Sequence, residues 1–279
     1  MKILLISDFG VEHTPGGAQR SNQIIINEGR SRGHVVNTFH YDSSFSLLLD
    51  SYDFVISSNL EVITRLHPRL VDSIPDLKNH IRLEHDSNTY WTKEFREKFW
   101  GSCVISFFLT DFHISFFKEM YGDIFKNVKI VPDPIDDSFR DFRMDRNDYI
   151  GYVGFFHELK GTRNFINFAK ENSSEKFLVA GWGTEEWENE IRSLDNVNFV
   201  GRINHSDMPL FYNEIGSLYY NPICNEPFCR SVGEALMCNT KIIGGSNKIG
   251  SLNMYNNDPM YREKCLNAAS NFWKEIELL

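Results

Sequence analysis

Glu226 and Glu234 stand with seven residues between them, in the order Glu226-Pro227-Phe228-Cys229-Arg230-Ser231-Val232-Gly233-Glu234. An ionised carboxylate accepts hydrogen bonds from two neighbouring hydroxyls, which suits the diols of a sugar or a ribose. Pro227 biases Glu226 towards an extended conformation, which places that carboxylate on a loop before a helix begins. The amides of Phe228, Cys229 and Arg230 then fall in the first helical turn, whose N–H groups have no partner inside the helix and point at any anion placed there. Glu234 follows Arg230 by four residues and Ser231 by three, so the three share one helix face. The segment offers two carboxylates with an anion seat between them. A Glu early in a helix is also favoured by the helix dipole alone, so the pair by itself fits a structural role as well as a chemical one.

The elements around this segment are those of an α/β protein. Leu218, Tyr219 and Tyr220 read as a buried strand leading to Glu226, and Val232, Ala235 and Leu236 recur at core-facing helical spacing. Residues 2–7 form an apolar strand, followed by Thr14-Pro15-Gly16-Gly17 and a helix over 18–31 closed by Gly33. Gly16 and Gly17 let backbone amides approach a phosphate or sugar without an intervening Cβ, or simply make a tight turn. Further strands are expected at 35–40, 53–57, 80–84, 103–109 and 127–131, with helical material over 61–73 and a helix up to Tyr121. That helix carries a buried stripe of Phe112, Phe116, Phe117 and Met120. His85-Asp86 stands at the carboxyl end of the 80–84 strand. The polar stretch 136–148 reads as an exposed connection. The alternation then restarts: strands at 149–153, 176–180, 197–201 and 241–243, a loop from Gly154 to Gly161 carrying Lys160, a Gly181-Trp182-Gly183 turn, and a helix from about 259 to the end. Strands alternating with helices in this way require parallel sheets covered on both faces.

Composition narrows the partners. A chain of 279 residues with 42% hydrophobic and 24% charged residues is ordinary for a globular protein, and its net charge of -9 opposes broad binding to nucleic acid or anionic lipid. The five Cys are scattered without C-x-x-C spacing, which fits reduced thiols and a cytoplasmic setting. The opening apolar run is too short for a signal peptide, and no run is long enough for a membrane span. Peripheral membrane contact through the Phe-rich helix is not favoured beside Asp111, Glu119 and Asp123. No Asp-x-Asp or His/Cys cluster suggests a metal, and the absence of G-x-G-x-x-G disfavours a nicotinamide cofactor, so no cofactor is expected.

The segment from Glu226 to Ala235 resembles the E-x7-E signature of retaining GT-B glycosyltransferases, the family-4 group that uses nucleotide sugars. The resemblance extends to Gly16-Gly17, to Pro132-Asp133-Pro134-Ile135-Asp136 in the place of V-P-N-G-V-D, to Gly154 through Lys160-Gly161 in the place of G-R-x-x-x-x-K-G, and to residues 197–201. It implies two Rossmann-like domains facing a cleft: residues 1–140 on the acceptor side, and residues 141–279 binding the nucleotide sugar, with a terminal helix packed back on the first domain. It also implies roles. Glu226 meets the donor sugar, Phe228, Cys229 and Ser231 line the sugar and phosphate, Glu234 takes the ribose, His85 reaches the sugar, and Gly16, Gly17, Gly154 and Lys160 border the diphosphate. Phe155 stands where the family has Arg, and Cys229 where it has Gly, so Arg163 or Arg230 is the candidate replacement cation.

The activity so implied is transfer of a sugar, hexosyl in type, from a nucleotide diphosphate sugar, first a UDP- or GDP-sugar, with retention of anomeric configuration and without a metal. A glycan, a lipid-linked sugar, a protein and a nucleobase remain open as acceptors. A non-catalytic nucleotide-sugar or glycan-binding module on the same fold is the alternative, and an epimerase or phosphorylase is a weaker one.

Overall fold

Ile3, Leu4, Leu5 and Ile6 are all fully buried. A strand covered on both faces has that composition. In the computed structural model, which describes residues 1–43, 48–87 and 91–279, it lies inside a parallel sheet. The chain forms two compact units, Met1–Pro134 with Glu263–Leu279, and Ile135–Arg262.

Unit 1 contains β1 (Lys2–Ile6), β2 (Val35–Phe39), β3 (Phe54–Ser57), β4 (His80–Leu83), β5 (Ile105–Phe108) and β6 (Val128–Ile130), in the order β2-β1-β3-β4-β5-β6. All pairings are parallel, and the order reverses between β1 and β3. Helices α1 (Gly17–Ser31), α2 (Glu61–Leu66), α3 (Pro68–Ser73), α4 (Lys93–Gly101) and α5 (Asp111–Tyr121) connect the strands. Alternation along β1 sorts its side chains into two cores. Ile3 and Leu5 pack with Ile25, Ile26, Phe272 and Trp273, whereas Leu4 and Ile6 pack with Phe99, Trp100 and Phe117.

Two local expectations change here. The 61–73 stretch is two helices, because Pro68 has no N–H to continue α2 and opens α3 instead. In α5 the buried face is His113, Ile114 and Phe117, while Met120 is 42% exposed. His113 earns its interior place by bonding on both ring nitrogens, with Nε2 at 3.1 Å from the Asp86 carbonyl and Nδ1 accepting the Leu109 amide at 3.3 Å.

Unit 2 contains β7 (Ile150–Phe156), β8 (Phe177–Gly183), β9 (Val197–Gly201), β10 (Ser217–Tyr219) and β11 (Lys241–Ile243), in the order β11-β10-β7-β8-β9, again all parallel. Helices α6 (Thr162–Glu171), α7 (Glu185–Arg192), α8 (Met208–Glu214), α9 (Arg230–Met237) and α10 (Gly250–Asn257) follow in turn, and α11 (Tyr261–Leu266) and α12 (Ala268–Glu277) end the chain. The core is aromatic: Tyr152 stacks on Phe165 with centroids 4.1 Å apart, beside Phe177. Strand β7 runs on to Phe156, so Gly154 and Phe155 belong to the strand, not to the loop expected after residue 153. The cause is continued pairing with β8, Gly154 to Gly181, Phe155 to Trp182 and Phe156 to Gly183, which makes Gly181-Trp182-Gly183 strand as well.

The polar stretch 136–148 is held within unit 2 by Phe139 and by hydrogen bonds such as Phe142 N–H to Asn213 Oδ1 at 2.8 Å and Arg146 to the Tyr212 carbonyl at 2.7 Å. Phe139 is fully buried, 5.1 Å from the His205 ring and 6.2 Å from Tyr212. Helix α12 belongs to unit 1. Trp273 donates its Nε1–H to the Ile25 carbonyl at 2.7 Å, and a Cβ on Gly29 would come within 2.2 Å of the Trp273 ring. Only glycine allows α1 and α12 so close.

Candidate functional site

In unit 2 the strand order reverses between β7 and β10, the place where open parallel sheets bind ligands at their carboxyl ends. Lys160 follows β7 and Glu226 follows β10. After β7 a short 3-10 turn over Glu158–Lys160 is capped by His157, whose Nδ1 accepts the Leu159 amide at 3.2 Å. Gly161 then adopts φ 81°, and a Cβ there would lie 2.0 Å from the Asn221 carbonyl oxygen. That glycine lets the two loops touch. Ile223 N–H donates to the Leu159 carbonyl at 3.0 Å and Asn164 to the Asn221 carbonyl at 2.8 Å. The result is a contact of 2.7 Å between Lys160 Nζ and Glu226 Oε1.

Glu226 is buried, yet it faces polar groups and not the apolar core. Its Oε1 also receives the Tyr220 hydroxyl at 3.1 Å. Its backbone is pinned on both sides, by Glu226 N–H to the Lys248 carbonyl at 2.7 Å and Gly250 N–H to the Glu226 carbonyl at 2.9 Å. Lys160 remains 43% exposed along its side chain. Burial works against its charge, but Glu226 outweighs this and holds the ammonium above the ordinary lysine range. Burial pushes the Tyr220 phenol well up, with Cys229 and Glu226 adding to the effect, so it stays a neutral donor.

Helix α9 begins at Arg230, with Cys229 in the left-handed region at φ 67° immediately before it. A glycine would adopt that conformation without strain, so the thiol is held there at a cost of about 1–2 kcal/mol. Burial, reinforced by Glu226, pushes the Cys229 thiol up to about 12, and it is therefore no nucleophile at neutral pH. Phe228 is buried, and Ser231 is half-buried in the first turn. Glu234 sits one turn on, where its Oε1 accepts from Arg230 Nε at 2.8 Å and lies 2.9 Å from His205 Nε2. Arg163, by contrast, pairs with Glu190 at 2.5 Å and lies over the Trp187 ring at 4.8 Å. Phe155 is 46% exposed beside Trp182.

Lys160, Glu226, Phe228, Cys229, Arg230, Ser231 and Glu234 are thus carried on the loop after β7, the loop after β10 and the first turns of α9. Arg163 is engaged elsewhere, and Gly154 lies within β7. The structure adds Tyr220 and His205 to the candidate site residues. Tyr220 carries a signal, being the polar-tipped aromatic that ends the strand before Glu226. His205 carries none, since it meets Glu234 from 29 residues away.

In unit 1, Gly16 and Gly17 open α1 after β1, and His85 follows β4. His85 is buried, with Nε2 3.2 Å from Asn22 Oδ1 and Nδ1 3.4 Å from Asp133 Oδ1. Asp86 is joined at the carboxyl ends of these strands by Asp8 and Glu61. Asp8 accepts the amides of Val62 and Ile63 at 3.0 Å each, and Asp86 accepts from Asn59 at 2.5 Å. Burial, the Asp86 charge and a bond to Asp8 raise the Glu61 carboxyl to about 9. Among the described residues, no group of three or more His, Cys, Asp or Glu is arranged to hold a metal, and no helix is long and apolar enough to cross a membrane.

Residues 147–259 match the family described as glycosyl transferases group 1. No curated protein matches the chain. Solved structures similar to it include AviGT4, a glycosyltransferase involved in avilamycin A biosynthesis, at TM-score 0.63 and 14% identity over 100% of this chain and 98% of that one. Anabaena Alr3699/HepE, solved with UDP-glucose, is similar at TM-score 0.64 and 14% identity over 99% and 95%. Sucrose-phosphate synthase from Thermosynechococcus elongatus is similar at TM-score 0.69 and 12% identity over 100% and 96%. These likenesses establish the fold: two Rossmann-like units of the GT-B kind.

Proposed function

We propose that the chain transfers a sugar, hexosyl in type, from a nucleotide diphosphate sugar to an acceptor, with retention of anomeric configuration. The observation that carries this reading is the 2.7 Å contact of Lys160 with Glu226 at the strand reversal of unit 2, directly before α9. Lys160 and the first amides of α9 neutralise the diphosphate as it leaves, and such fixed charge is the main source of rate in a reaction whose leaving group gains charge. Glu226 takes sugar hydroxyls and Glu234 the ribose diol. We assign His85 on unit 1 to the donor sugar, and Gly16 and Gly17 to the donor beside the acceptor. HepE and other structures of this fold hold UDP or UDP-glucose, which makes UDP-sugars the first donors to try. With Lys160 and helix amides supplying positive charge, turnover needs no divalent cation.

The test is incubation with UDP-glucose, GDP-mannose and the corresponding ADP and CMP sugars, following nucleotide release, with Glu226→Ala as control and product anomer read by NMR. Release that depends on Glu226, with a product of the donor's own configuration, supports the reading. Release that the variant retains, or an inverted product, removes it. Arg163 paired with Glu190 and Phe155 in the usual place of a cation favour one alternative, a module that binds the nucleotide sugar without turnover. It predicts UDP-sugar binding with no release.

A further inference from the structure

We propose that unit 2 carries a second binding site, for a short neutral oligosaccharide, in the cavity at the carboxyl-terminal end of α9. The cavity measures about 800 Å³, the size of a small-ligand site. It is lined by Leu236 and Met237, the last residues of α9, together with residues of the 136–148 stretch, the end of α10 and the start of α11. Met237 stands seven residues beyond Arg230, about 10 Å along the helix from its first turn. The cavity is therefore separate from the Lys160–Glu226 contact.

Charge argues for a neutral ligand. Three arginines, Arg140, Arg143 and Arg262, line the cavity with Asp141 and Asp258. A third acid, Asp137, holds two of those arginines, Arg262 at 2.9 Å and Arg140 at 3.4 Å. Arg262 is further occupied by the carbonyls of Met237 at 3.0 Å and Phe139 at 3.3 Å. With Arg146 4.0 Å from Asp141, four arginines meet three carboxylates, and the pairing of Arg140 and Arg262 with Asp137 leaves little unspent positive charge for a phosphate. Planar guanidinium and carboxamide groups in the lining, Arg143 and Asn256 among them, match pairs of adjacent hydroxyls instead.

The aromatic side supports the same class. Tyr255 is 41% exposed, and its ring meets Tyr261 edge-on, centroids 5.4 Å apart at 85°. Tyr261 is itself buried and fixed by its hydroxyl on the Gly233 carbonyl at 3.2 Å. A firmly backed, half-open ring is a platform for the apolar face of a pyranose, an amphipathic contact of the kind tyrosine makes at low entropic cost. An accessory site of this kind would hold a glycan chain on the protein independently of the donor reading.

The experiment is saturation-transfer NMR on the intact chain with maltotriose, cellotriose and chitotriose, and with pyrophosphate, in wild type, Tyr255→Ala and Arg143→Ala. UDP titration runs alongside as a check of the other site. Expected are saturation transfer to at least one trisaccharide, a loss of tenfold or more in affinity in Tyr255→Ala, and unchanged UDP affinity in both variants. The proposal is overturned by silence from all three sugars, by sugar binding that survives both variants, or by pyrophosphate binding that Arg143→Ala abolishes. Failure of wild type to bind UDP would count against the donor reading and leave the sugar result to stand by itself.

Discussion

Lys160 and Glu226, 66 residues apart in the chain, meet at 2.7 Å because β7 and β10 are neighbours at the strand reversal of unit 2. Glu226 both fixes the lysine in place and holds its ammonium in the charged form. Under the proposed function a diphosphate would compete with Glu226 for Lys160, leaving the carboxylate to the sugar hydroxyls. Lys160→Ala should lower kcat/KM by about 10²–10³, the loss seen when a fixed donor to a developing anion is removed. Glu226→Ala should give a comparable loss, and the double variant should fall short of the product of the two because both belong to one network. Steady-state kinetics on the donor selected above checks this, and multiplicative losses would contradict it.

Arg163 and Arg230 should separate cleanly. Arg163 already has Glu190 and Trp187 as partners, so Arg163→Ala should leave UDP affinity within about twofold. Arg230 is buried against Glu234 beside the first turn of α9. Arg230→Ala should weaken UDP tenfold or more and destabilise the fold by about 2–3 kcal/mol, because Glu234 would lose a buried partner. Calorimetric titration with UDP and denaturant unfolding give both readouts.

Gly161→Ala tests the junction of the two loops. Its φ of 81° and the 2.0 Å approach of the Asn221 oxygen leave no place for a methyl group. The substitution should cost roughly 2 kcal/mol or more of stability and reduce turnover further than it reduces stability at the assay temperature. Wild-type activity and melting temperature in this variant would show that the close approach is dispensable.

The acid cluster of unit 1 predicts a pH signature. Glu61 has its carboxyl raised to about 9 by burial, Asp86 and Asp8. Between its ordinary value and 9 the folded chain holds a proton that the unfolded chain has lost, so this residue removes stability as pH rises through that window. Glu61→Gln should therefore raise the stability at pH 8 by on the order of 1 kcal/mol or more, and the melting temperature with it, and change nothing near pH 4. His80 and His113 act in the opposite sense at low pH. Burial lowers both to about 3, so they remain neutral in the fold while unfolded imidazoles protonate, and stability falls as pH drops from 6.5 towards 3. Urea melts at several pH values would show both slopes.

Much of this was readable beforehand. The strand-loop-helix order around Glu226 follows from Leu218–Tyr220, Pro227 and the spacing of Val232, Ala235 and Leu236, all local signals. The apolar strands of both sheets are equally plain, because burial on two faces leaves no room for polar alternation. What stayed hidden depends on distance in sequence. Strand β7 continues past Val153 only because β8 keeps pairing with it, and α5 turns His113 inward only because the Asp86 carbonyl waits for it. The engagement of Arg163 by Glu190 and of Glu234 by His205 comes from tertiary packing, for which no spacing rule exists.

The placement of Trp273 on Gly29 sets an order of assembly during synthesis. One apolar face of β1, β4 and β5 is closed by Ala268, Phe272, Trp273 and Ile276, which leave the ribosome after every residue of unit 2. Until those residues arrive, the first sheet of the nascent chain shows a bare hydrophobic face. Transiently uncovered surface of that kind is what makes a folding intermediate prone to aggregate.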